Sequence, residues 1–96
     1  MAKKISREEE STIPTFECHK EAREWFVRKY GDDFIPEGST ITGDEICYFY
    51  CLLLDRAVFE EEQRKMQDGR IGDALAFLNS YQSIQISSRG GVHIVH

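Results

Sequence analysis

Long apolar runs are missing from this sequence. The longest, ICYFYCLLL at 46–54, has nine residues, half of the roughly 18 that a membrane-spanning helix needs. No membrane contact is expected. Proline is scarce, with two residues in 96, so no proline-rich linker divides the chain. Positive charge is also short: 12 Lys and Arg face 17 Asp and Glu, a net −5. Binding to duplex DNA or RNA needs a basic face, so no direct nucleic-acid binding is expected. The G-x-S-x-G, H-E-x-x-H and S-x-x-K signatures are absent, as are the P-loop and the D-x-[DN]-x-[DN]-G calcium spacing. There are no internal repeats. Lys3 and Lys4 are followed by no apolar stretch, which is not the form of a secretory signal. Three cysteines without such a signal suit a reducing compartment, and an odd number cannot all pair. The expectation is a cytoplasmic protein with free thiols.

What is present fits one domain, which at this length buries only about 60–65% of its unfolded surface. Charge is unevenly placed. Residues 1–30 are nearly balanced, while 31–62 hold nine acids against Arg56 alone. An acidic middle suits either solubility or a basic partner. Residues 1–14 are polar, contain REEE and end in Ile13-Pro14. They read as a mobile N-terminal arm, leaving 15–96 as the domain.

Periodicity assigns the elements. In TFECHKEAREWFVRKYGDD, residues Ala22, Trp25, Phe26, Lys29 and Tyr30 fall on one helical stripe. That helix starts near Cys18, a poor cap residue, and closes at Gly31. Ser39-Thr40-Ile41-Thr42 is β-prone, and Gly43-Asp44 is a two-residue hairpin signal. Thr42 to Glu45 also fits a capping box, which would start a helix through 46–54. A helix apolar on all sides must be buried on all sides, and so short a chain has little room for one. A central strand covered on both faces also reads as a continuous apolar run, so 46–54 is expected to be the central strand. Asp55 caps a second helix, with Glu60, Glu61 and Glu62 early and Arg64 and Lys65 late. Asp68-Gly69 ends it. A shorter helix over about 72–79 would turn Ile71, Leu75 and Leu78 to one face. YQSIQISSRGGVHIVH alternates as a hairpin turning at Gly90-Gly91, with Ile84 and Ile86 on one side. The order α-β-β-α-α-β-β gives an α+β domain, a small, mostly antiparallel four-stranded sheet with packed helices.

Candidate chemistry is thin. Cys47 and Cys51 have C-x3-C spacing, a zinc-ligand pattern. On a helix their Cβ atoms would lie about 5–6 Å apart. On a strand they are about 13 Å apart along the chain, too far to share an ion. No metal and no cofactor are expected. Cys18, beside His19 at a helix start, is the thiol best placed for reactivity, but a nucleophile also needs a base and an orienting group. Enzyme activity is not expected. In SSRGG, Arg89 and the N–H groups of Gly90 and Gly91 could hold a phosphate, although a Gly-Gly turn accounts for them too. Tyr48 and Tyr50 share one strand face, and their hydroxyls want polar partners or water. These five residues are the candidate set for a small-molecule or nucleotide-binding protein.

In size, acidity and lack of catalytic motifs, the chain resembles short phage and mobile-element proteins of Gram-positive bacteria. The resemblance carries over no site residue. It implies a non-enzymatic interaction module, a phage-type inhibitor of a host or defence complex. The partner would be a protein with a basic surface, met by the acidic residues Asp32, Asp33, Glu37, Asp44, Glu45, Glu60, Glu61 and Glu62. Hairpin edges can also pair between copies, so a homodimer is a further expectation.

Overall fold

The nine-residue run is a strand. In the computed structural model, which describes residues 3–69 and 74–96, β1 (Phe34–Thr42) and β2 (Glu45–Leu53) form a hairpin around Gly43-Asp44. Gly43 takes φ +63°, the left-handed backbone that such a tight turn requires. Strand β3 (Tyr81–Ser87) pairs with the other edge of β2, and β4 (Val92–Ile94) completes an antiparallel sheet in the order β1-β2-β3-β4. This is the α+β architecture that the periodicity implies. Residues 50–53 are buried on both sheet faces, whereas 45–49 are not. The run is apolar throughout because one end sits between two layers.

The first layer is α2 (His19–Tyr30), which drives Ala22 and Phe26 into the sheet. They meet Phe34, Tyr50, Leu52, Ile84, Ile86 and Ile94, the side chains that strand alternation points to this face. Burying one such large side chain is worth roughly 1.5–3 kcal/mol. The second layer is α3 (Arg56–Gln67) with α4 (Ala74–Asn79), packed on the opposite face at the Leu53 end. There Phe59 stacks on Phe77 at 5.4 Å and meets Tyr81 edge-on at 5.7 Å. Asp55 caps α3 by accepting from the Val58 N–H at 3.2 Å.

Two expectations need correction. Leu75 and Leu78 do not form the inner face of α4. They are 68% and 58% exposed, because Phe77, one position from Leu78, takes the inner side against Phe59 and Tyr81. Ile71 and Gly72 lie outside the described residues. The polar N-terminal segment, expected as a mobile arm, is instead built into the fold from Ile5 onward. Ile5 is 1% exposed within the core, and α1 (Arg7–Glu10) follows, capped by Ser6. The anchor is Gln82, itself 3% exposed. Its Oε1 accepts from the Ile5 N–H at 2.7 Å, and its Nε2 donates to the carbonyls of Ile5 (3.1 Å) and Val95 (3.2 Å). His96 Nε2 meets Glu10 Oε2 at 2.8 Å beside this clip.

Replacing Gln82 with alanine leaves three backbone groups without their partner, two of them on Ile5. Gln82→Ala is expected to lower stability by about 2–4 kcal/mol and to speed proteolysis selectively within residues 3–13. Urea unfolding and limited proteolysis measure the two effects.

Candidate functional site

The sheet has one finished face and one half-finished one. Odd-numbered residues of β2 and β3 point away from α2, and the pairs Cys47↔Ser87, Phe49↔Gln85, Cys51↔Ser83 and Leu53↔Tyr81 line that second face. Helices α3 and α4 pack at the Leu53 end. Further along the face, Cys47, Phe49, Ser83 and Gln85 are half-buried, and Thr40, Thr42 and His93 are exposed. A hollow of about 450 Å³ lies here, bordered by Thr42, Glu45, Cys47, Gln85 and His93 among others. Glu37 also belongs to this face, since it hydrogen-bonds the Cys51 side chain. Burial first, then the charge and hydrogen bond of Glu37, push the Cys51 thiol up to about 12, so it stays protonated and is no nucleophile. Cys47 sits four residues away on the same strand, and all three cysteines are free. Among the described residues, no group of three or more His, Cys, Asp or Glu is placed to hold a metal ion.

The eight acidic candidates do not share a surface. Asp33 (3.3 Å) and Glu60 (3.6 Å) both engage Arg56, which also donates to the Asp32 carbonyl at 2.8 Å. Glu61 and Glu62 engage Lys65 at 3.6 and 3.2 Å, and Glu62 is buried. Asp44 and Glu45 engage Arg89 at 2.8 and 3.0 Å at the far end of the β1–β2 hairpin. The nine residues of β1 separate Asp33 from Asp44, roughly 30 Å of extended chain. Glu37, Asp44 and Glu45 alone border the open sheet face.

Nor does the alternative set converge as a whole: Arg89, Gly90 and Gly91 border one groove, and the two tyrosines lie elsewhere. Arg89 is held by the two carboxylates at the hairpin tip. Gly90 is a packing residue: at φ +89°, a Cβ there would lie 2.5 Å from the Phe16 carbonyl oxygen and 2.8 Å from the Cys18 nitrogen. With Gly91 it borders a groove of about 480 Å³ beside Ile13, Pro14 and Phe16, which neither tyrosine lines. Tyr48 and Tyr50 lie on the α2 side and belong to a column of rings. Phe26, Phe34, Tyr50, His19 and Tyr48 stack in turn, with centroids 5.1, 4.4, 5.9 and 3.7 Å apart. His19 Nε2 lies 2.6 Å from the Tyr50 hydroxyl. This imidazole nitrogen is thus committed to Tyr50, and Cys18 serves as the helix N-cap without a side-chain bond. Burial, then Arg23, lowers the His19 pKa, while burial raises that of Tyr50. Both groups are therefore neutral near pH 7, and a ring with its proton on Nδ1 accepts from the Tyr50 hydroxyl.

The role of His19 was invisible in sequence order, because its partners are 29 and 31 residues away. The signal was the Tyr48/Tyr50 pair, whose hydroxyls needed polar company. No protein-family model, curated protein or solved structure matches the chain.

Two outcomes follow from these contacts. Gly90→Ala forces the turn away from residues 16–18, with an expected cost of about 2–4 kcal/mol in chemical denaturation. His19 has its folded pKa below the ordinary 6.5, so the unfolded chain takes up its proton first as pH falls. Its contribution is complete above pH 6.5 and is lost on further acidification. The difference in stability between the protein and His19→Gln should be constant above that pH and shrink below it, as read from urea midpoints across pH 4–8.

Proposed function

We propose that the chain is a non-enzymatic protein-interaction module that binds a basic partner through the open sheet face. The supporting observation is Phe49 and Cys47, half-buried in the middle of a face whose other end is closed by α3 and α4. Apolar side chains on a sheet face gain stability by meeting a second layer, and a partner supplies one. Glu37, Asp44 and Glu45 surround this area with one bonded guanidinium, Arg89. The acidic border steers a basic surface onto the apolar centre and sets orientation more than affinity. The finer reading is a phage-type inhibitor that occupies a basic surface of a host or defence complex. Small size and a net charge of −5 support it.

Affinity capture from host extract, with tagged protein and mass spectrometry, tests the assignment. A partner is expected that is lost with Phe49→Asp, weakened at least about tenfold by Asp44→Lys/Glu45→Lys, and kept by Leu75→Asp on the distant α4. Raising salt from about 0.05 to 0.3 M, which shortens the screening length, should weaken capture. Binding indifferent to both charge reversal and salt would remove the basic-partner reading.

A further inference from the structure

We infer that the outer edge of β1 pairs with the same edge of a second copy, about a twofold axis at Thr40. This edge is distinct from the open face and does not depend on the partner assignment above. The backbone gives the register. Ile46 sits opposite Ile41, yet the Ile46 N–H donates to Ser88 Oγ at 3.2 Å and its carbonyl accepts from the Ser88 N–H at 2.7 Å. The 41/46 pair therefore exchanges no bonds of its own, so the N–H and C=O of Ile41 point outward. By alternation those of Ser39, two residues earlier, do the same. The edge is guarded in its first half by Pro36, Glu37 and a bulge between Pro36 and Gly38, the usual means of blocking edge association. From Gly38 to Gly43 it carries no charge, no proline and no bulge, and every residue is exposed. Ile41, at 77%, is the most exposed large apolar side chain among the described residues.

This segment is complementary to itself. With Thr40 facing Thr40 of the second copy, Ser39 stands opposite Ile41 of that copy, and Ile41 opposite its Ser39. Each pair exchanges two N–H···O=C bonds, which satisfies all four outward groups of each copy. The two Ile41 side chains become diagonal neighbours on one face of the joined sheet, next to Ile46, which is 38% exposed. No carboxylate lies at a paired position, but Glu37 of each copy comes opposite Gly43 of the other, next to Asp44. Salt therefore strengthens this contact, the opposite of its effect on a basic partner. So short an edge buries on the order of 1,000 Å², the lower end for specific interfaces, so the dimer is a weak one.

Sedimentation equilibrium up to about 0.5 mM, where a weak interface of this size fills, should show dimer that increases with salt. In a Cys18→Ser/Cys47→Ser background, Thr40→Cys should cross-link to itself under oxidised glutathione. Facing Cβ atoms at such a site are about 4.5–5.5 Å apart, a modest adjustment from disulfide spacing. Thr42→Cys, facing Gly38, should not cross-link. Ile41→Pro removes an outward N–H without breaking a β1–β2 bond and should abolish dimer; Ile41→Lys does the same through charge and covers the case in which the proline disturbs folding. A monomer at every concentration and salt, or a dimer that survives Ile41→Lys, overturns the inference. Equal cross-linking by Thr42→Cys overturns the register. Both results are independent of capture through Phe49.

Discussion

The fold depends on the carboxamide of Gln82. It lies in the interior of the domain, where a polar group without partners costs several kcal/mol. Its oxygen and nitrogen imitate a neighbouring strand, taking the N–H and C=O of Ile5 as a peptide group would. The same nitrogen reaches the Val95 carbonyl beyond β4. One side chain thus joins the segment at Ile5, an inner strand and the residues that follow β4. Ile5 can then close the core beside Leu52 and Ile94. The demands are mutual, since the amide needs the backbone of Ile5 as much as Ile5 needs the amide.

Around that anchor the two sheet faces differ in kind. The α2 face is organised by stacked rings, with His19 and Tyr50 sharing the polar bond that lets a tyrosine be buried. The other face carries a second aromatic cluster at one end and thins to half-buried side chains at the other. The carboxylates are distributed as counter-ions to Arg56, Lys65 and Arg89. Exposed pairs of this type contribute little stability each, but they use up much of the charge that composition alone assigns to one acidic surface. At the open face two carboxylates, Asp44 and Glu45, share the single guanidinium of Arg89, so that border stays negative.

The elements whose signals are local could be read directly. The strand at 46–54 follows from its β-prone composition and the Gly43-Asp44 turn, and α3 follows from Asp55 and its ordered charges. Features defined by distant contacts could not be read. Ile5 is a lone apolar residue among Lys, Ser, Arg and Glu, with nothing to indicate a partner 77 positions away. In α4, Leu75 and Leu78 satisfy the helical spacing as well as Phe77 does, and only the rings of Phe59 and Tyr81 decide which side faces inward. Acidic residues were easy to count, and the pairs of Arg56 and Lys65 within α3 are local, but those of Asp33 with Arg56 and of Asp44 and Glu45 with Arg89 depend on side chains brought in from elsewhere in the fold. Gly90 read as a turn residue, while its close approach to Phe16 and Cys18 needs the N-terminal segment in place.

The clip at Gln82 also has a kinetic meaning. It spans almost the whole chain, as does the contact of Glu10 with His96, 86 positions apart. Closing loops of this length carries an entropic penalty that local helices and hairpins do not offset in advance. The β1–β2 hairpin and the neighbouring helices are local enough to form early, whereas Ile5 must wait until β3 and the residues after β4 exist to receive it. During synthesis on a ribosome, a chain paused before Gln82 would carry an unsealed core, with Phe26, Phe34 and Leu52 awaiting their last neighbours. Strand β3 and the residues just after β4 are the ones that admit Ile5.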